Sequence, residues 1–153
     1  MRLWRLGSGQ FPLWSGEGAR LRGGRWNMKG SPAIYAAVSF STGVLEVMVH
    51  ANIGRVPRGV HFITIDIPDG VAVETVMPAA VPEWDAHPAH ASVLFGERWL
   101  RGKTALVLLV PSVVTGGLDQ NALINPLHGD FARVAVGQEA PVRLDPRLFP
   151  LPG

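Results

Sequence analysis

The chain has 153 residues, no cysteine and a net charge of only +2 at pH 7. The missing cysteines exclude disulfides, a thiol nucleophile and a cysteine-ligated zinc, and they suit a reducing cytosol. The longest apolar run, residues 105–110, is far shorter than the ~20 residues that span a bilayer, so we expect a soluble, cytoplasmic protein.

The N-terminal part of the chain predicts an antiparallel sheet. Residues 2–6 and 19–26 alternate between apolar and polar side chains, as strands do, and residues 33–40 have the composition of a third strand. The segment "KGSP" provides the turn between the last two.

A helix and a further strand are expected next. Ser41 is a plausible N-cap for a helix over residues 42–52 that ends near Gly54. This helix is apolar nearly all round, which predicts that it is buried. Residues 60–67 alternate as a strand and are followed by the turn signal "PDG".

The C-terminal half predicts one helix and several short strands. The helix covers residues 86–100 and is interrupted by Pro88, and residues 104–110 form a central strand that stops at Pro111. Further short strands are expected at 121–125, 131–136 and 141–144. The pattern therefore indicates one compact α+β domain with mixed, mostly antiparallel sheet and a few helices.

Positive charge is concentrated near the N-terminus. Residues 1–30 contain Arg2, Arg5, Arg20, Arg22, Arg25 and Lys29, with Glu17 as the only acid. This segment therefore carries +5, although the whole chain carries +2. Such asymmetry indicates an anion site for a phosphate-bearing small molecule or for nucleic acid. Solvated arginines at strand edges are the alternative.

Glu46 is the residue that the pattern leaves unexplained. It lies among apolar neighbours in "VLEVMV", where a carboxylate is costly unless it is paired. A pair with His50, one helical turn later, or an ion pair with Arg25 would satisfy the charge without any function. In a cleft, such a carboxylate is instead a candidate for chemistry. Both interpretations stay open.

Arg25 and Tyr35 are the two candidates for ligand contact. Arg25 follows a Gly-Gly pair, which lets a ligand approach the backbone, and a guanidinium binds a diphosphate or carboxylate in a two-pronged way. A bulge with a surface arginine is the alternative. Tyr35 is the only tyrosine, and its alanine neighbours leave space for a planar heterocycle to stack. Core packing is the ordinary alternative for it.

Ser112 and Asn125 are weaker candidates. Ser112 follows the proline that ends the central strand but lacks the Gly-x-Ser-x-Gly context of a hydrolase nucleophile, so a hydrogen-bonding role is the common one. Asn125 and His128 lie in "NPLHGDF", where a role in a turn dominates. His87 and His90 have no evident third ligand, so we expect no metal.

Several of these motifs together resemble the RES domain, a family named for arginine, glutamate and serine. The set consists of Arg25 in "GGRWN", Tyr35 in "PAIYAA", Glu46 in "GVLEVMVH" and Ser112 in "VPSVV". The segments "SGEGARLRGGRWN", "FGERWL", "NALINPLHGDF" and "LDPRLF" extend the resemblance over essentially the whole chain. It implies that residues 1–153 form a single RES domain.

The resemblance implies a bacterial toxin whose fold is similar to that of diphtheria-toxin-like ADP-ribosyltransferases. Members of the family hydrolyse or phosphorolyse NAD+, depleting it, or transfer ADP-ribose to a protein. NAD+ is then a substrate and no resident cofactor is expected, while the acceptor stays open among water, phosphate and a host protein. The expected partner is a helix-turn-helix antitoxin of the Xre type.

The resemblance also implies roles for the candidate residues. Arg25 would bind the phosphates or ribose of NAD+, Tyr35 would line the nicotinamide side, and Glu46 would stabilise the positive charge that grows at C1′. Ser112 would hold substrate or orient Glu46, and Asn125 would shape the pocket. This interpretation includes no direct contact with nucleic acid, and it leaves a homodimer open. Its rivals are a non-enzymatic nucleic-acid-binding module and an inactive relative that only binds an antitoxin.

Overall fold

The computed structural model of the protein describes residues 1–51 and 58–149. Eight strands of the described chain form one mixed sheet. They are β1 (Arg2–Ser8), β2 (Ile34–Ala37), β3 (Val60–Asp66), β4 (Val73–Thr75), β5 (Val107–Pro111), β6 (Gln120–Ile124), β7 (Ala135–Val136) and β8 (Ala140–Pro141). The α-helices are α1 (Glu17–Arg22), α2 (Phe40–His50) and α3 (His90–Gly102), and short 3₁₀ turns cover Pro78–Ala80, Phe131–Arg133 and Pro146–Leu148. The expected α+β class is confirmed.

The strand order of the sheet is β4-β5-β6-β2-β1-β3-β7, and β8 pairs with β3. Only β4 and β5 run parallel, and the other pairs are antiparallel. The strand that we expected at 104–110 is β5, which has a neighbour on each side. The longest register joins β1 to β3, from Arg2 opposite Asp66 to Ser8 opposite Val60.

Two apolar clusters cover opposite faces of this sheet. One contains Ile124 with the β1 and β3 residues Leu3 and Ile65, and the other contains Leu123 with Trp26 and Trp99. Because successive side chains of a strand point to opposite faces, the adjacent residues Leu123 and Ile124 belong to different clusters. Helix α3 covers the second face through Trp99 and Leu100.

The predicted strand over residues 19–26 is wrong. The segment forms α1 and then a loop in which Gly24 and Asn27 make an isolated bridge. Helix geometry places Arg20 against Glu17, three residues earlier, in an ion pair. The helix ends at Gly23, whose φ of 72° is in the left-handed region that glycine tolerates. The alternation of apolar and polar residues is therefore not sufficient to predict a strand in this segment.

Helix α2 starts earlier than expected and is less buried. Its N-cap is Ser39, whose side chain accepts a hydrogen bond from the backbone N–H of Thr42, so Ser41 lies inside the helix. The expected end near Gly54 is outside the described residues. Leu45 and Val49 are 41% and 47% exposed, which contradicts burial all round. The apolar composition predicted too much burial for α2, because only one side of the helix packs on β1 and β2.

The remaining elements are shorter than predicted. The helix expected at 86–100 begins at His90, after Pro88, and the strand expected at 131–136 keeps only β7, because Phe131–Arg133 forms a 3₁₀ turn. At 141–144 only Pro141 belongs to a strand. No helix in the described ranges has the length and apolar character to cross a membrane.

We predict that Gly96→Ala lowers the free energy of unfolding. A Cβ at Gly96 in α3 would collide with the backbone carbonyl of Trp26, and overpacking of this kind costs about 1–3 kcal/mol or more. Urea unfolding measures the change. The matched control is Gly102→Ala at the end of the same helix, where the nearest atom to an added Cβ is 3.9 Å away. Equal urea midpoints for the two variants would contradict the prediction.

Candidate active site

A cavity of about 1640 Å³ lies beside β1, β2 and α2. The loop 22–26 and the segment 87–89 also line it. Among the described lining residues, the charged side chains are the four arginines Arg5, Arg22, Arg25 and Arg58 and a single carboxylate, Glu46. A cleft of this charge attracts an anionic ligand.

The half-buried carboxylate of Glu46 is held by two neutral donors. Ser112 Oγ donates to Glu46 Oε1 at 2.9 Å, and Asn121 Nδ2 donates to the same oxygen at 2.6 Å. Oε2 accepts no hydrogen bond from any residue that the structure describes. The carboxylate is therefore oriented through one oxygen while its charge is not cancelled by a cation.

Neither structural alternative for Glu46 is realised. His50 Nδ1 lies 2.6 Å from the backbone carbonyl of Glu46, so His50 contacts the main chain of Glu46 and not its carboxylate. Over residues 1–51 and 58–149, no salt bridge joins Glu46 to Arg25. The partners of the carboxylate come instead from the end of β5 and the start of β6.

Arg25 lines the same cavity but is anchored on one side. Its Nη1 donates to the backbone carbonyls of Trp84 at 3.1 Å and Ala86 at 2.9 Å. Its Nη2 lies 3.4 Å from His87 Nε2, and His87 also lines the cavity. Because a guanidinium carries five N–H groups, donors on Nε and Nη2 are left for a ligand.

The hydroxyl of Tyr35 is committed to the loop that carries Arg25. It donates to Asn27 Oδ1 at 2.7 Å and accepts from the backbone N–H of Trp26 at 2.9 Å. A Cβ at Gly24 would come within 2.6 Å of this hydroxyl, so the second glycine of "GGRWN" makes room for it. Burial raises the pKa of Tyr35, and the Trp26 hydrogen bond and the charge of Arg25 offset this only in part.

Asn27 is a fully buried residue that ties the loop together. Its side-chain Nδ2 donates to the backbone carbonyls of Ala19, Met28 and Ser31. Its Oδ1 accepts the Tyr35 hydroxyl. After the two glycines, the motif "GGRWN" therefore consists of an arginine that lines the cavity, a tryptophan in the core and an asparagine with a buried side-chain amide.

The structure brings four of the five predicted site residues together and leaves one apart. Arg25, Tyr35 and Glu46 line the cavity. Ser112 is fully buried beside the cavity and donates a hydrogen bond to Glu46. Asn125 lies elsewhere. Its Nδ2 donates to the carbonyl of Leu100 and its Oδ1 accepts from the N–H of Leu127, which is a role in a turn.

Two residues of the site were not singled out as candidates from the sequence, although Arg5 belonged to the N-terminal cations that indicated an anion site. Arg5 on β1 lines the cavity, and its one described hydrogen bond goes to the carbonyl of Tyr35 at 3.3 Å. Burial lowers the pKa of Arg5 to about 10, and no carboxylate among the described residues pairs with it. Asn121 contacts Glu46 from β6. The sequence did contain a sign of this role, because asparagine is depleted in strands, and an asparagine within a predicted strand indicates a specific contact.

Five of the six N-terminal cations fall into two groups. Arg5, Arg22 and Arg25 face the cavity. Arg2 is paired at the surface with Asp66, and Arg20 with Glu17. The charge asymmetry in the sequence thus reflects both an anion site and ordinary surface pairs.

A profile of the RES domain matches residues 2–145. The chain belongs to the RES domain family. This finding confirms the resemblance that the ordered Arg25, Tyr35, Glu46 and Ser112 motifs indicated.

Relatives within this family are toxins by name. The chain is 38% identical over 139 residues to the "Prs ADP-ribosylating toxin" of Sphingobium sp., covering 88% of this chain and 86% of the relative. It is 36% identical over 153 residues to "Toxin Res" of Pseudomonas putida, covering 97% of this chain and all of the relative, 100%. The chain is thus a toxin-type RES domain.

A solved structure has the same fold. The crystal structure of the M. tuberculosis MbcT-MbcA toxin-antitoxin complex matches with a TM-score of 0.69 at 23% identity, covering 96% of this chain and 85% of that chain. At this identity the similarity concerns the fold.

We predict that the single tyrosine ionises only well above its ordinary pKa of about 10. Since burial raises the folded-state pKa, the neutral phenol stabilises the fold at lower pH, and this stabilisation is lost as pH rises from about 10 towards the folded value. Tyrosinate absorbance during an alkaline titration reports Tyr35 directly. The same titration in concentrated urea is the control and gives the ordinary value. An ordinary value for the folded protein would contradict the contacts described for the hydroxyl.

Proposed function

We propose that this protein is the toxin of a toxin-antitoxin pair and that it cleaves the nicotinamide-ribose bond of NAD+. The observation that carries the proposal is the carboxylate of Glu46, which is held by the neutral donors Ser112 and Asn121. The other charged side chains that line the cavity, among the described residues, are arginines. An oriented, uncancelled anion is what a developing sugar cation needs.

The size and charge of the cavity support a dinucleotide as ligand. Its volume of about 1640 Å³ exceeds the roughly 300–1,000 Å³ typical of drug-sized ligand sites. The arginines Arg5 and Arg25 offer charge-assisted hydrogen bonds to the diphosphate. The unpaired charge of Arg5 gains a counter-ion when an anion binds.

The chemical step breaks the bond between C1′ and the nicotinamide nitrogen. The electron pair leaves with that nitrogen and neutralises the positive charge of the ring, while C1′ becomes cationic. Glu46 accepts a hydrogen bond from a ribose hydroxyl and stabilises this cation electrostatically. An acceptor oxygen or nitrogen then bonds to C1′ and releases its proton. Because nicotinamide is already a cationic leaving group, one carboxylate suffices, whereas glycosidases commonly use two.

The group that accepts ADP-ribose is either a small molecule or a protein. Transfer to water or phosphate would deplete NAD+. The name of the Sphingobium relative, "Prs ADP-ribosylating toxin", favours a second candidate, transfer of ADP-ribose to a protein. The name of the structural neighbour, a toxin-antitoxin complex, supports an antitoxin as partner, and we propose one with a helix-turn-helix domain of the Xre type.

We predict that Glu46→Gln reduces nicotinamide release from NAD+ by about 10²–10³-fold, because the amide keeps the shape and loses the charge that stabilises the transition state. The matched control is Glu74→Gln, on the exposed strand β4 outside the cavity, and it should behave like the parent. Nicotinamide release at the parental rate by Glu46→Gln would refute the mechanism.

The same assay separates the acceptors. Phosphate added to the parent protein accelerates the reaction if phosphate is the acceptor and leaves it unchanged if water is. Label from NAD+ that appears on a cell protein demonstrates transfer. Binding of nucleic acid that weakens steeply with salt and survives Glu46→Gln would favour the rival binding module instead.

We predict that Arg5→Met weakens NAD+ binding about tenfold or more, because a charge-assisted hydrogen bond is worth about 1.5–3 kcal/mol. The same change should leave the free energy of unfolding unchanged or raise it, since it removes a desolvated, unpaired charge. Calorimetric titration of NAD+ into Glu46→Gln protein, which does not consume the ligand, measures the affinity.

The control for this prediction is Arg2→Met on the same strand, where the guanidinium pairs with Asp66 at the surface. Its NAD+ affinity should equal that of the Glu46→Gln parent. An Arg5→Met protein that binds NAD+ normally, or one that is less stable by more than about 1 kcal/mol, would contradict the role assigned to Arg5.

A further inference from the structure

Helix α3 contains two buried polar side chains that do not line the cavity. Ser92 is fully buried and Glu97 is 4% exposed. A buried polar group costs free energy unless it is hydrogen-bonded, and a buried carboxylate costs most. The partners of these two side chains therefore indicate what the groups are retained for.

Glu97 binds the loop that follows Arg25. Its Oε1 accepts from Ser31 Oγ at 2.6 Å, and its Oε2 accepts from the backbone N–H of Met28 at 3.3 Å. Beside it, Gly96 lets the helix contact the backbone of Trp26, the residue after Arg25. Helix α3 is thus fastened to both the start and the end of the segment 26–31.

Ser92 contacts the backbone carbonyl that anchors the guanidinium of Arg25. Its Oγ donates to the carbonyl of Trp84 at 2.7 Å, the same carbonyl that accepts from Arg25 Nη1. One helix therefore holds the backbone that carries Arg25 and the backbone carbonyl that anchors its guanidinium.

The ion pair of Glu97 with Arg101 does not explain the burial of Glu97. Arg101 Nε lies 3.0 Å from Oε1, but its side chain is 77% exposed. Such a pair, four residues apart on a helix surface, is worth only about 0.3–0.5 kcal/mol. Burial by itself would raise the pKa of Glu97, yet the hydrogen bonds from Ser31, Met28 and Arg101 outweigh it, and the net pKa lies below its ordinary value.

We propose that Glu97 is a positioning residue for substrate binding, which holds the 26–31 loop so that the guanidinium of Arg25 meets the anionic part of the dinucleotide. This inference rests on the proposed function. Glu97 does not line the cavity, so it would act through the loop that it holds and the guanidinium of Arg25. Its loss should affect binding of the ground state and the transition state equally, which raises KM and leaves kcat unchanged.

The first experiment compares Glu97→Gln with Arg101→Gln. A glutamine at 97 has one acceptor oxygen where Glu97 has two, and it lacks the charge that strengthens both loop contacts. We therefore expect KM for NAD+ to rise about tenfold with kcat within about twofold. Arg101→Gln removes the surface ion pair but leaves the loop contacts, and it should match the parent. Equal behaviour of the two variants would overturn the inference.

The second experiment tests whether Glu97 acts through Arg25. The dissociation constant of NAD+ is measured for Arg25→Ala, Glu97→Gln and the double variant, all in the Glu46→Gln background. If Glu97 works through Arg25, the double variant binds no more weakly than Arg25→Ala alone, because residues in one network are not additive. Additive losses would overturn the positioning role and indicate a general loss of structure.

The two hypotheses fail in different ways. If Arg25→Ala leaves NAD+ affinity unchanged, the proposed function fails at Arg25. If Arg25→Ala weakens binding but Glu97→Gln does not, only the positioning role fails. Should Glu97→Gln not fold, Ser31→Ala removes one loop contact with Glu97, and we expect it to raise KM about threefold. An unchanged KM for a folded Ser31→Ala protein would overturn the inference.

Discussion

The site depends on how the charge of Glu46 is satisfied. A carboxylate at the edge of an apolar helix needs partners, and the usual partner is a cation that cancels its charge. Here the hydroxyl of Ser112 and the amide of Asn121 both donate hydrogen bonds to a single carboxylate oxygen, Glu46 Oε1. Neutral donors orient the group and lower the cost of its burial, but they do not cancel the negative charge of the carboxylate. That charge is what the proposed chemistry uses.

Arg5, a cation of the cavity, is likewise left without a partner of opposite charge among the described residues. Arg5 is desolvated without a carboxylate partner among the described residues, and this lowers its pKa to about 10. Such a group reduces the stability of the protein alone and is stabilised when an anion arrives. The arginine and the carboxylate, each without a partner of opposite charge among the described residues, would suit the proposed ligand, which carries a negative diphosphate and a positive nicotinamide ring. The protein keeps these charges apart at a cost in its own stability, as binding sites commonly do.

Much of the motif "GGRWN" serves to place one side chain. Gly24 makes room for the Tyr35 hydroxyl, Trp26 fills the core and Asn27 closes the loop on itself. Helix α3 fastens this loop from outside through Gly96 and Glu97. The residues that would touch substrate are few, and a larger set holds them, which is why the family motifs extend beyond the reacting groups.

The sequence by itself determined the fold class, the positions of β1, β3 and α2 to within a few residues, and the grouping of Arg25, Tyr35 and Glu46, which line one cavity. These follow from local periodicity and from the order of the motifs. The strand expected at 19–26 failed because "ARLRGGRW" alternates, although it forms α1 and a loop. Only the tertiary structure decided that Asn121 joins Glu46, that Arg5 enters the cavity and that Asn125 does not, because these contacts join residues 30 to 75 positions apart or depend on strand order. Spacing along the chain predicts which side chains share an element, but which elements meet is set by packing of the whole sheet.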